Sequence, residues 1–231
     1  STLSIHSFPT RRSSDLENGE YIKIKLDEHK TPSQNVQYYY KKYNKFKIGE
    51  EMALIQMDLT ENELKYLHSV LTNILNVDNY SGIEDIKNEL IETEYIKIKK
   101  HGKTKKVKPT KPRHFMSSDG IDIYVGRNNI QNDLLTLKFA NKNDMWLHTK
   151  DIPGSHVIIK NIGDIPANTL LEAGNLSAFY SKSQNSSSVP VDYTQVRNVK
   201  KPSGAKPGMV IYTTNKTIYV TPVESTLERI E

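Results

Sequence analysis

Apolar residues along this chain fall into two rhythms. Between residues 31 and 92 they recur every three or four positions, the spacing of one helical face. Val36, Tyr39, Tyr40, Tyr43 and Phe46 form the first such set, with Lys41, Lys42, Lys45 and Lys47 between them. Thr31-Pro32-Ser33-Gln34 precedes it and supplies a cap, a proline at the first helical position and a glutamine placed to close a capping box. Leu64, Leu67, Leu71 and Leu75 continue at 3-4-4 spacing, the rhythm of a coiled coil. Ser81-Gly82-Ile83-Glu84 predicts a second cap, for a helix with Ile83, Ile86 and Leu90 on one face. Ahead of these, Tyr21 to Leu26 alternates as a short strand or an extended lead-in.

After residue 113 the rhythm shortens to two. Ile121, Ile123 and Val125 alternate with Asp122 and Tyr124. Asn132 or Asp133 is placed to cap a short helix through Leu134, Leu135, Leu137 and Ala140. Met145 to Lys150 reads as a strand with Trp146, His148 and Lys150 on one face and Met145, Leu147 and Thr149 on the other. The Ile152-Pro153-Gly154-Ser155 turn leads into His156-Val157-Ile158-Ile159. Pro166 starts a helix ending near Tyr180, and Val189 to Val191 is strand-like. Val210–Thr213 and Thr217–Val220 predict a hairpin across Thr214-Asn215-Lys216. The expected fold class is α+β: a helical, coiled-coil N-terminal segment followed by a compact mixed α/β sheet domain.

Charge divides the chain in the same way. Residues 1–96 carry 11 Lys and Arg against 16 Asp and Glu, whereas residues 97–231 carry 21 against 11. Eight of the 11 glycines and eight of the 10 prolines lie in this second part. These shifts predict a helical region over 17–96, a basic linker over 97–113 and a globular domain over 114–231. Ser1 to Leu16 has no periodicity and resembles a translated sequencing-adapter read, so it is set aside as a non-native tail. The chain lacks an initiator methionine, and the protein is expected to extend upstream.

With no cysteine in the chain, disulfides and thiolate chemistry are excluded. No apolar run reaches membrane-spanning length and no secretory signal is seen, so a cytoplasmic location without membrane contact is expected. Two lysine-rich segments contain no acid. The first holds Lys97, Lys99, Lys100, Lys103, Lys105, Lys106, Lys108, Lys111 and Arg113, and the second is Val199 to Gly208 with Lys200, Lys201 and Lys206. Such segments are either solvated linkers or arms that neutralise phosphates and release counterions. The tyrosines beside lysines in the first helix admit base stacking, but their helical spacing favours packing against a partner helix. Trp146 reads first as core and second as a stacking platform.

Asp144, His148, Asp151 and His156 are the candidates for acid–base or metal chemistry. The eight-residue His148–His156 spacing crosses a Pro-Gly turn, and no third strong ligand follows in sequence. Structural or phosphate-facing histidines are therefore the favoured reading. No catalytic residue, metal or cofactor is expected, and the protein is expected not to be an enzyme.

Three motifs in order carry a family resemblance. Asp119 to Asn129, with Gln131-Asn132-Asp133, is similar to the opening of the NFACT RNA-binding domain. Asp144-Met145-Trp146-Leu147-His148-Thr149-Lys150-Asp151-Ile152-Pro153-Gly154-Ser155-His156-Val157 is similar to its central motif. Val199-Lys200-Lys201-Pro202 with Gly204 to Val210 resembles its closing basic loop. Upstream, Thr31 to Asn35, Tyr43-Asn44-Lys45 and Tyr66-Leu67 resemble the family's coiled-coil region.

The NFACT family includes proteins labelled RqcH, NEMF and fibronectin-binding protein A-like. The resemblance implies binding to obstructed large (50S) ribosomal subunits, rRNA, peptidyl-tRNA and alanyl-tRNA, in support of alanine tailing of stalled nascent chains. The family's N-terminal NFACT domain and helix-hairpin-helix segment have no counterpart read in this sequence. The expected RNA-binding residues are Lys103, Lys105, Lys106, Lys108, Lys111, Arg113, Arg127, Asn128, Asn132, Trp146, His148, Lys150, Ser155, His156, Lys200, Lys201 and Lys206. The alternatives are a surface adhesin with fibronectin as partner and a metal-dependent hydrolase built on His148 and His156.

Overall fold

The computed structural model describes residues 24–97, 110–160, 163–224, 227, 229 and 230. Two compact units divide between Leu59 and Thr60. The helices after residue 60 therefore share a unit with the sheet, a different division from the one that composition suggests near residue 113.

The capping box predicted at Thr31 forms at the start of helix α1 (Pro32–Leu75). Gln34 Oε1 accepts from the Thr31 backbone N–H at 2.8 Å, and Thr31 Oγ1 accepts from that of Gln34 at 3.3 Å. Asn35 pins the lead-in turn: its amide donates to the carbonyls of Asp27, Lys30 and Thr31. Residues 24–27 form no strand ladder. Val36, Tyr40, Tyr43 and Phe46 are 58–68% exposed in this unit.

In the second unit the predicted leucine stripe is corrected. Leu64, Leu67, Leu71 and Leu75 are 37–75% exposed, while Tyr66, Val70 and Asn73 are buried. The buried face is set by Tyr66, which stacks on Tyr95 with ring centroids 5.8 Å apart. Helix α2 (Tyr80–Glu92) begins two residues earlier than predicted: Asn79, not Ser81, is the cap, accepting from the Gly82 N–H at 2.8 Å. Ile86 packs with Tyr66 and Val70, whereas Ile83 faces out.

A six-stranded antiparallel sheet follows, in the order β1 (Arg113–Met116), β2 (Asp122–Val125), β4 (Val157–Ile159), β3 (Met145–Thr149), β5 (Val189–Gln195), β8 (Lys216–Val220). Alternation assigns its two faces. Ile123, Val125, Leu147, Val157, Ile159, Val189 and Val191 pack with Ala173 and Leu176 of helix α4 (Ala167–Phe179). Trp146 and Ile158 point the other way, against Leu135, Val196 and Val199. That second face is covered by helix α3 (Asn129–Leu134), a π-helical turn (Leu135–Phe139) and a two-stranded ribbon of β6 (Val199–Lys200) and β7 (Ile211–Tyr212).

Two local expectations are corrected here. Asn128 caps α3, accepting from the Gln131 N–H at 2.8 Å, and Asn132 lies inside the helix. The predicted hairpin over 210–220 does not form: β7 pairs with β6 and β8 with β5. Thr194 donates to the Thr213 and Thr214 carbonyls, Thr214 takes φ +55°, and the chain is steered apart there.

Candidate nucleic-acid interface

Strand register lines up a row of polar groups on the second sheet face. His148 of β3 lies opposite Asp192 of β5, which lies opposite Thr217 of β8. Asp192 accepts from the Tyr212 hydroxyl at 2.8 Å and the Thr217 hydroxyl at 2.5 Å. Beyond His148 the row continues to His156, with ring centroids 5.4 Å apart, and Trp146 packs against both rings. His156 Nδ1 shares a 2.8 Å hydrogen bond with Thr136, and its backbone N–H donates to Asn132 Oδ1 at 3.0 Å. Gly126 makes this register possible, since a Cβ there would stand 2.0 Å from Asn132 Oδ1.

Burial chiefly holds both imidazoles below the ordinary histidine pKa of 6.5, and His156 is lowered further by the proximity of His148. Both rings are therefore neutral at neutral pH. Of the two favoured readings, this burial fits hydrogen-bonded structural histidines. The quartet proposed for acid–base or metal chemistry is not assembled. Asp144 is held by Lys160 at 2.6 Å and by the Asn141 N–H, and Asp151 sits on an exposed turn at φ +54°. Among the described residues no three His, Cys, Asp or Glu side chains converge as metal ligands.

The basic loop between β6 and β7 is docked onto its own unit. Asp133 of α3 holds the Lys201 ammonium and accepts from the Gly208 N–H at 3.1 Å. Gly208 takes φ +76°, and a Cβ there would stand 2.7 Å from Asn129 Oδ1. Asn129 in turn donates to Glu89 Oε1 at 2.8 Å, and the Tyr66 hydroxyl donates to the same oxygen at 2.9 Å. The Lys206 ammonium lies 4.9 Å from the Tyr95 ring centre and 5.6 Å from that of Tyr66. Lys200 remains exposed.

Arginines gather at a third place. Asp78, in the turn between α1 and α2, receives Arg127 Nη1 at 2.8 Å and Arg229 Nη2 at 2.8 Å, and Arg113 Nε stands 3.9 Å away. Arg113 is 2% exposed, donates to the Asn76 carbonyl at 2.6 Å and lies 4.3 Å from the Tyr180 ring centre. Burial opposes the charge on Asp78, but Arg229, Arg113 and Arg127 outweigh it and hold the carboxyl below its usual range.

The predicted contact residues thus separate by burial. Lys111, Lys150 and Lys200 are exposed. Lys201 and Lys206 are half-buried and already engaged. Asn128, Asn132, Ser155, His156 and Trp146 are enclosed, and His148 nearly so. Within the fold Asn128 caps α3, Asn132 accepts from the His156 N–H, and His156 Nδ1 meets Thr136. Arg113 and Arg127 are bound at Asp78. Lys103, Lys105, Lys106 and Lys108 lie outside the described residues, as does the 1–16 segment. Sequence reasoning missed Asp78, Glu89 and Asp192 and took Asp133 for a cap and not for the partner of Lys201, because these roles appear only when the chain folds back on itself.

Residues 111–214 match the family model described as the NFACT protein RNA binding domain. Residues 11–109 match that of the NFACT N-terminal and middle domains, overlapping the end of the segment set aside as a tail. Rqc2 homolog RqcH from Bacillus subtilis is 41% identical over 93% of this chain and 38% of its own length. Rqc2 homolog RqcH from Streptococcus suis is 40% identical over 100% of this chain and 42% of its own. The chain therefore spans about two-fifths of these relatives. The solved C-terminal part of the fibronectin/fibrinogen-binding protein from Streptococcus suis superimposes with a TM-score of 0.76 at 41% identity, over 83% of this chain and 77% of that one. With two consecutive family domains matched and the fold shared with a relative of this identity, the chain belongs to the NFACT family.

Proposed function

We propose that this chain is an RNA-binding, non-catalytic part of a ribosome quality-control factor, acting on the large ribosomal subunit and tRNA. The observation that carries the reading is the match of residues 111–214 to the NFACT RNA-binding domain. The names of the relatives, Rqc2 homolog RqcH in bacteria and ribosome quality control complex subunit 2 in Schizosaccharomyces pombe, supply the pathway. Exposed Lys111, Lys150 and Lys200 fit the electrostatics, because each phosphate neutralised releases counterions. Finer partners follow on the same reading: 50S subunits, rRNA, peptidyl-tRNA and alanyl-tRNA, in support of alanine tailing, in the cytoplasm. No described helix is long and apolar enough to cross a membrane.

Sedimentation with 50S subunits across a salt series tests this. Binding is expected to weaken steeply as salt rises. Charge reversal at Lys105, Lys106, Lys150 and Lys200 is expected to weaken it at every salt concentration and to flatten the slope. Lys201 is left intact, because reversing it would break the Asp133 contact instead. Unchanged affinity in the fourfold variant removes the electrostatic account. A second reading, fibronectin binding, is favoured by the name of the solved streptococcal relative. Salt-insensitive capture of fibronectin with no 50S association would support it over the first.

A further inference from the structure

The arginine cluster around Asp78 contains buried donors that the Asp78 carboxylate does not satisfy. Three guanidiniums from separate parts of the unit meet one carboxylate: Arg113 from β1, Arg127 from the turn before α3, and Arg229 near the C-terminus. Among the described residues, Asp78 is the carboxylate within reach of all three guanidiniums. Arg113 is enclosed, yet its Nε and Nη1 have no hydrogen-bond acceptor. A buried donor without an acceptor costs free energy, and a buried cation without full compensation costs more. Burial, aided by the neighbouring Arg127 and Arg229, pushes this guanidinium down to about 10. The cluster is reachable from solvent, because the Asp78 and Arg229 side chains are 35% and 41% exposed.

We propose that Arg113, Arg127 and Arg229 form a phosphate-binding site whose internal occupant is the Asp78 carboxylate. Planar guanidiniums recognise phosphate and carboxylate through the same forked donors. A phosphate presents at least the same forked pair of anionic oxygens as Asp78 and gives the Arg113 donors an acceptor. The arginines are held by a strand, a strand-to-helix turn and the Phe115–Arg229 bridge, so they are positioned before a ligand arrives. The inference rests on the RNA-binding reading only for the source of the phosphate, an RNA backbone or terminal phosphate as opposed to the free ion.

The test is titration calorimetry of the full chain with inorganic phosphate, at ionic strength held constant with chloride. Saturable binding is expected, about tenfold weaker in Arg229→Gln because one charge-assisted hydrogen bond is lost. Asp78→Asn is expected to tighten it, since the competing carboxylate charge is gone; a staple without a ligand would give no such gain. If Asp78→Asn loses its helical circular dichroism, Arg229→Gln carries the test. Heats equal to those of chloride, or no change in Arg229→Gln, overturn the proposal.

Single-stranded RNA with a 5′-phosphate and the same strand with a 5′-hydroxyl then assign the source. Equal weakening of both by Arg229→Gln supports a backbone phosphate, and weakening of the first only supports a terminal one. Phosphate binding by a chain that binds neither RNA nor 50S subunits would uphold the site and overturn the RNA-binding reading instead. RNA binding that persists without any phosphate binding would do the reverse.

Discussion

Glu89 is fully buried where α1, α2 and α3 meet, and it is bonded to Tyr66 and Asn129. Burial raises its pKa above 4.5, although both hydrogen bonds work to lower it. The folded chain thus holds this proton more tightly than the unfolded chain. Its stabilising contribution is complete below about pH 4.5 and is lost as pH rises through the folded value. Glu89→Gln removes that loss, so urea unfolding is expected to show the variant gaining on the wild type as pH rises from 4.5 to 8. His148 and His156 have the opposite sign. Their depressed values give a contribution that is present above about 6.5 and lost as pH falls through the folded values. In proton NMR their ring signals are expected to stay at the neutral position as pH falls through 6.5.

Capping asparagines, at the scale of single elements, decide where helices begin. Asn128→Ala removes the acceptor for the Gln131 N–H and is expected to cost about 1 kcal/mol in chemical denaturation. A loss well under half of that would mean that α3 is held by its packing and not by its cap. The strands β2, β3, β4 and α4 were legible from alternation, Pro166 and the Pro153-Gly154 turn. The capping box at Thr31 was legible as well, because its partners lie three residues apart. The cap positions at Asn79 and Asn128 were not, since several polar residues stand close together and only packing selects one. The hairpin over 210–220 failed for a related reason. Two short β-prone runs beside a turn look like a pair, but Thr194 and Asp192, some 20 residues away, claim each run separately.

For the whole molecule, the charge pattern puts a boundary near residue 113, close to where the two family models meet at 109 and 111, while the compact units divide at Leu59. Helix α1 runs through Leu59 without interruption, so no turn signal marks that division. The candidate interface was legible in kind and only partly in residue. Lysines stand out in sequence, whereas Asp133 and Asp78 do not, because an acid that binds a distant cation has no local signature. Of the cations expected to reach a ligand, Lys201, Lys206, Arg113 and Arg127 are thus already occupied within the fold. A salt series on the unaltered chain is therefore expected to report exposed Lys150 and Lys200 more than these four.

The enclosed indole of Trp146 has a practical consequence. It is the sole tryptophan, and it lies at the centre of the sheet between His148 and Tyr212. Selective excitation of tryptophan therefore yields light from one point in the protein. The emission colour follows solvation of that point, so opening of the sheet gives a red shift while melting confined to residues before Leu59 leaves the spectrum unchanged. The chain carries its own optical gauge of which half unfolds first.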